Sequence, residues 1–242
     1  MPSAFIPIVL LAEATGLVVL GLVITWMVKY QDGFALDRTS KEFNLHPVFM
    51  ILGFLFLNAN ALMTYRVLGN AFNRTAVKII HLLFQALAVA CASFGLSCVF
   101  HFHNAMGYAN LYSLHSWLGI TTFAFFSLQL ILGFVAFVIF GIFAPSSSVT
   151  FRKVYLHLHV YGGALIFIMA GVTSMLGTAE FISFKIPTYA TLPPQGVLAN
   201  VLGAFIAIFV ALVCYILYNT KYKASAVQSA NPYEEQINIE KD

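Results

Sequence analysis

Seven histidines are the residues best suited to chemistry in this chain, and their placement along long apolar runs indicates which chemistry. His101, His103 and His115 crowd the stretch VFHFHNAMGYANLYSLHSW at 99–117. His46 sits in FNLHPVFM, His81 in VKIIHLLFQ, and His157 and His159 in VYLHLHVYGG. An ionisable side chain inside an apolar run is costly, faces the bundle interior, and is paired or ligating there. The neutral imidazole is also the commonest metal ligand among protein side chains. Four successive runs each carry such a residue one or two turns from an end, and the ends alternate. The second and fourth runs bring His46 and His115 to one depth. The third and fifth bring His81 and one of His157 or His159 to the other. His101 and His103 fall in the connection between the third and fourth runs.

Around these imidazoles, 60% of the chain is hydrophobic and 9% is charged. A soluble domain carries roughly 25% charged residues, so this composition belongs in a bilayer. A spanning helix needs about 20 mainly apolar residues. Six candidates are read, near 5–28, 46–65, 77–100, 114–142, 154–177 and 197–219. The fold class is therefore an all-α membrane protein of six transmembrane helices, with spans 2–5 as a four-helix core. Residues 1–220 form that domain, and 221–242, ending in NPYEEQINIEKD, read as a disordered cytosolic tail. The first run lacks a basic leading segment and a small-residue cleavage site, so it reads as a retained span. Glu13, the acid within it, is expected near the interface.

Lys and Arg collect on the cytosolic side of short loops. Arg66, Arg74, Lys78, Arg152, Lys153, Lys221, Lys223 and Lys241 fall on one side, against Lys29, Arg38, Lys41 and Lys185 on the other. Both termini are therefore expected in the cytosol. Asn73-Arg74-Thr75 matches a glycosylation acceptor, but this orientation places it in the cytosol, unmodified.

Two imidazoles on facing helices at one depth, among Phe, Leu, Gly and Ala, suit the two axial positions of a planar haem. An iron with both axial positions filled by imidazole has no open site for oxygen, so it passes electrons. Gly53, Gly119, Gly133, Gly162 and Gly163 would let a backbone or a flat macrocycle approach, although each could equally serve helix packing. Cys91, Cys98 and Cys214 lie inside the runs without a Cys-x-x-Cys-His pattern, so any haem is noncovalent.

At these residues the sequence resembles the cytochrome b561 family. The resemblance is carried by FNLHPVFM, ALMTYR, the Lys78–His81 KxxH, ANLYSLHSWLG, HVYGG at 159–163 and TLPPQGVLAN, and it covers almost the whole chain. EFNLHPV, FHN and LPPQG are most similar to the animal duodenal, lysosomal and chromaffin-granule branches. The resemblance implies two noncovalent haems b, ligated by His46–His115 and His81–His159. His157 is then an additional polar residue near the cytosolic interface. It implies Arg66, Arg74, Lys78 and Arg152 as the basic positions that hold cytosolic ascorbate and haem propionates, and Phe102, His103, Asn104 and Tyr112 as contacts for a non-cytosolic substrate. His101 reads as a polar loop residue.

The implied activity is that of an ascorbate-dependent transmembrane oxidoreductase, a monodehydroascorbate or ferric reductase. Electrons would pass from cytosolic ascorbate to monodehydroascorbate or a ferric chelate. The family also implies a homodimer, in a plasma, endolysosomal or secretory-vesicle membrane, with no nucleic-acid partner. The competing reading is a transporter whose histidines line a proton or divalent-metal path. That reading calls for acids beside the imidazoles, and Asp and Glu are absent from the middles of spans two to five.

Overall fold

The computed structural model describes residues 5–144, 146 and 148–222. The expected tail beyond residue 222 lies outside the described residues. Six helices are long and apolar enough to cross a bilayer: α1 Phe5–Tyr30, α2 Ser40–Val67, α3 Arg74–Met106, α4 Leu114–Ile139, α5 Val149–Lys185 and α6 Pro194–Tyr218. At a rise of about 1.5 Å per residue, each exceeds the roughly 30 Å hydrocarbon thickness. The chain is a multi-pass membrane protein.

Adjacent spans run antiparallel, as their short connections require. α1 packs on α6, α2 on α3, α4 on α5, and α5 on α6. α2 is the most enclosed span and touches α1, α3, α5 and α6. Its inner face buries Ile51, Phe54, Leu55, Ala59 and Met63, against Ala88 and Ala92 of α3 and Phe167 of α5. Large apolar side chains such as Leu17, Leu83, Leu128 and Val160 point outward. In a bilayer that surface is solvated by lipid, so outward leucine costs nothing.

Two stretches depart from α-helical winding. Ile51–Leu57 in α2 and Val135–Ile139 at the end of α4 are π-helical. A π turn inserts a residue and turns backbone groups away from their regular partners. The Phe137 carbonyl in the second of these accepts a hydrogen bond from Lys78 Nζ at 3.0 Å.

Helix ends are set by local chemistry. The Asn73 side chain accepts from the Ala76 amide and caps α3, so the possible glycosylation asparagine is a helix cap. α3 continues to Met106 and stops at Gly107, whose φ of 71° is left-handed. The span expected to end near residue 100 is thus longer, and His101 and His103 are helical rather than in a loop. Hydropathy fades at HFHNAM, but the hydrogen-bonded backbone does not. α5 is likewise longer at both ends than the apolar run 154–177. α4 opens with a capping box between Ser113 and Ser116, which fixes the turn carrying His115.

Candidate functional site

The histidines pair as their depths suggested. The His46 ring of α2 and the His115 ring of α4 lie 6.1 Å apart between centroids, at 84°. The His81 ring of α3 and the His159 ring of α5 lie 6.2 Å apart, at 66°. Two imidazoles bound to opposite sides of one metal ion, at about 2.0–2.1 Å per nitrogen, have centroids a little over 6 Å apart. His157 turns away to the surface, where its Nδ1 lies 3.0 Å from the Lys153 carbonyl. Residues two apart on a helix face different ways, and His159 is the one that meets His81.

Three of the four imidazoles are oriented by a backbone carbonyl. His46 Nδ1 lies 3.1 Å from the Gly95 carbonyl, His81 Nδ1 2.8 Å from that of Ala61, and His115 Nδ1 3.0 Å from that of Thr173. A proton on Nδ1 donated to a carbonyl leaves Nε2 as the lone-pair nitrogen. His159 Nδ1 is buried without a hydrogen-bond partner among the described residues, as is the neighbouring Tyr155 hydroxyl. The rings of His159 and Tyr155 are 5.8 Å apart.

Two glycines make room for these rings. A Cβ at Gly133 of α4 would stand 2.8 Å from His159 Cε1, and one at Gly177 of α5 would stand 2.6 Å from His115 Cε1. Each glycine lies on the helix that carries a histidine of the other pair. Gly53 makes a different approach, with a Cβ only 2.7 Å from the Ala88 carbonyl, and so serves packing of α2 on α3. Gly162 and Gly163 lie against the Gln129 side chain, which donates to the His159 carbonyl at 2.6 Å. Gly119 has room for a methyl group against Thr173. Gly177, Gly95, Gln129 and Thr173 were not singled out from the sequence. The signal was present, since Gly177 follows His159 by 18 residues, five full turns, on one helix face.

At the end of the bundle beyond His81 and His159, two cations converge. A Cβ at Gly141 would lie 3.6 Å from Arg152 Nη1 and 4.0 Å from Lys78 Nζ, so α3 and α5 bring these side chains to one spot. Arg74 opens α3 one turn from Lys78. Arg66 is engaged elsewhere, donating to the carbonyls of Leu217 and Asn219 at the end of α6.

At the opposite end, a cavity of about 920 Å³ runs from Met27 and Phe54 past His46 and His115 to Tyr108 and Tyr112. His103 stands at its mouth, 6.2 Å from the near-parallel Tyr112 ring, 6.0 Å from Tyr108 and 5.9 Å from Phe102. Asn104 accepts from Asn110 at 2.8 Å. Glu180, absent from the sequence-derived set, accepts from Ser113 Oγ at 3.1 Å and lines the same mouth. Partial burial, with Glu180 beside it, holds the Tyr112 phenol above its ordinary range. His101 is no idle polar residue, because its Nδ1 meets the buried Glu42 carboxylate at 2.9 Å.

The fold and these pairs define a transmembrane helical protein with two close imidazole pairs, one towards each end of the bundle. The chain belongs to the eukaryotic cytochrome b561 family, whose sequence pattern it matches over residues 45–185. It is 40% identical over 223 residues to the transmembrane ascorbate-dependent reductase CYB561 of Ovis aries, covering 92% of this chain and 86% of the relative. The protein of the same name from Homo sapiens is 38% identical over 223 residues, with the same coverage. The lysosomal membrane ascorbate-dependent ferrireductase CYB561A3 of Danio rerio is 37% identical over 222 residues, covering 88% of each chain. The family implies haem b. The residues fit it, with carbonyl-oriented imidazoles at trans-ligand separation, glycines where a ring edge needs room, and buried polar atoms left without protein partners.

Proposed function

We propose that the chain carries electrons from cytosolic ascorbate across the membrane to a non-cytosolic acceptor, monodehydroascorbate or ferric iron. The observation that carries this reading is the presence of two imidazole pairs, each a little over 6 Å between centroids, near opposite ends of one bundle. Two haems b, held by His46–His115 and His81–His159, would supply one-electron transfer at two depths in the membrane. His46 lies level with Gly95, 14 residues along α3 from His81, so the two pairs are separated by about 21 Å of helix rise. That interval divides a hydrocarbon core of about 30 Å, which is too thick for one useful step.

The chain's own residues prepare each end. Lys78 and Arg152, with Arg74 one turn away, present positive charge to an ascorbate anion or to propionates on the cytosolic side. Lys78 is held in place by the Phe137 carbonyl. Carbonyl contacts at Nδ1 fix the tautomer of three ligand histidines and raise the basicity of Nε2. Phe137 and Tyr155 close around His159 at 5.2 and 5.8 Å and keep water from it. At the far mouth, His103 and Tyr112 offer a near-parallel pair of rings, and Phe102 and Asn104 flank the acceptor site. The likeness to relatives named as an ascorbate-dependent reductase and an ascorbate-dependent ferrireductase supports this reading.

The test is optical. Purified protein reduced by ascorbate should give a bis-histidine b-type spectrum with two haems per chain, and His81→Ala or His159→Ala should remove one. A folded, colourless protein would end the proposal. His103→Ala should retain both haems and lose ferric or monodehydroascorbate reduction, and an unchanged rate with each acceptor would remove His103 from the site.

A further inference from the structure

Glu13 stands apart from every role assigned above. It lies eight residues inside α1 rather than at its end, so its Cα is about 12 Å along the helix from Phe5. The carboxylate turns toward α2, where the Asn60 side-chain amide donates to Glu13 Oε2 at 3.4 Å and to the Phe56 carbonyl at 3.1 Å. Asn60 directly precedes Ala61, whose carbonyl takes the His81 Nδ1 at 2.8 Å. Depth agrees with this connection. Asn60 is seven residues from the end of α2 and His81 seven from the start of α3, about 10 Å of rise in each case. Glu13, Asn60 and His81 therefore share one level of the membrane.

Among the described residues, no cation forms an ion pair with this carboxylate. On α2, Arg66 is spent on the carbonyls of Leu217 and Asn219, and Tyr65 packs its ring 5.5 Å from that of His81. On α6, the titratable groups nearest this end are Cys214, Tyr215 and Tyr218, none of which bonds to Glu13, and the Tyr215 ring meets that of Tyr222. Lys29, on α1 itself, lies at the opposite end. A charged carboxylate in an apolar span is costly, and intramembrane acids mark functional paths, proton relays among them.

We propose that Glu13 takes up a proton when the centre held by His81 and His159 is reduced, so that electron arrival at that depth is charge-compensated. The inference rests on the ligand reading of that pair. The balance is simple: one electron from ascorbate converts ferric to ferrous iron, and one proton from cytosolic water adds to a Glu13 carboxylate oxygen. In a weakly screening interior, a new negative charge favours protonation of a nearby carboxylate.

The experiment is a redox titration of the full-length haem-loaded protein between pH 5.5 and 8.5. The cytosolic component is the one lost in His81→Ala. In the native protein its midpoint should fall as pH rises, approaching a tenfold change in the reduction equilibrium per pH unit. In Glu13→Gln that slope should vanish, while the other component keeps its own. A slope retained in Glu13→Gln, or none in the native protein, overturns the proposal. If Glu13→Gln does not fold, the reduced-minus-oxidised infrared spectrum of the native protein decides. A protonated-carboxyl band appearing on reduction supports the proposal, and its absence overturns it. A chain without haem, or one keeping both haems in His81→Ala, would instead overturn the ligand reading and be seen first in the optical spectrum.

Discussion

Substituting Gly177 with Ala tests whether the glycines exist for the ligands rather than for helix packing. The added Cβ would stand 2.6 Å from His115 Cε1, 2.9 Å from Nδ1 and 3.2 Å from Nε2. Non-bonded carbons settle at about 3.5 Å or beyond, so the imidazole must retreat by about 0.9 Å. Retreat strains its contact with the Thr173 carbonyl, now 3.0 Å from Nδ1. Metal bonds to imidazole hold within about 0.2 Å, so a displacement of this size is not absorbed at the iron. Disturbing such outer supports typically costs 10–100-fold in metal affinity, about 1.4–2.7 kcal/mol. Gly177→Ala should therefore lose the haem proposed at His46 and His115, or release it 10–100-fold faster, while the one proposed at His81 and His159 stays. Gly133→Ala should do the reverse, because its Cβ would meet His159 at 2.8 Å. Haem per chain, with redox titration to identify the surviving component, reads both. Gly21→Ala is the control, since a Cβ there meets nothing within 4 Å and alanine favours helix by about 1 kcal/mol. Two haems with native potentials in Gly177→Ala would refute the reasoning.

His101→Ala leaves the Glu42 carboxylate, 4% exposed, with the Arg38 amide as its partner among the described residues, and should lower stability by about 1–3 kcal/mol in a thermal melt. Arg66→Ala should act mainly on stability, uncovering two carbonyls at the end of α6. Lys78→Ala should instead raise the ascorbate KM about tenfold at little cost in melting temperature, and equal KM effects would return Arg66 to the ascorbate site. The Tyr112 phenol is raised in the folded chain, so above about pH 10 the unfolded chain releases that proton first and stability falls as pH climbs. Unfolding midpoints between pH 9 and 11 should fall less steeply in Tyr112→Phe. Deleting Leu52 from the π-helical stretch should convert it to regular α-helix and retain both haems, checked by haem per chain.

The paired histidines were legible because an imidazole in an apolar run has few other reasons to be there. Depth sorted them to two levels but left His157 and His159 open, and the family resemblance pointed to His159, the ring that meets His81. The basic end was legible in part. Lys78 and Arg152 do converge, but Arg66 has the same charge and nearly the same depth, and only the fold shows that α6 ends within its reach. Glu13 was read as interfacial because its place depends on where α1 begins, which hydropathy leaves open by several residues. His101 was read as a loop residue because HFHNAM is polar, while its role depends on Glu42, 59 residues away in sequence. Gly177 shares a face of α5 with His159, yet a glycine in an apolar helix reads as packing until another helix's histidine is seen against it.

The spacing of ligands and their carbonyl partners explains why the four-helix core needs a π turn. His81 precedes Gly95 by 14 residues on α3, and His159 precedes Thr173 by 14 on α5. Each of those carbonyls receives a histidine from the neighbouring antiparallel helix. On α2 the interval from His46 to Ala61 is 15 residues, and Ala61 still receives His81. An extra residue in regular α-helix would turn the Ala61 carbonyl by about 100° and move it 1.5 Å along the axis. The π-helical segment Ile51–Leu57 lies between the two and absorbs that residue. The same accounting on α4 leads from His115 to Gln129, whose side chain, not its carbonyl, meets His159. The two antiparallel pairs, α2 with α3 and α4 with α5, are thus built on one interval of about 21 Å, which sets the distance between the two imidazole pairs. That regularity cannot be read as a sequence repeat, because it is stated in helix rise and only backbone carbonyls carry it.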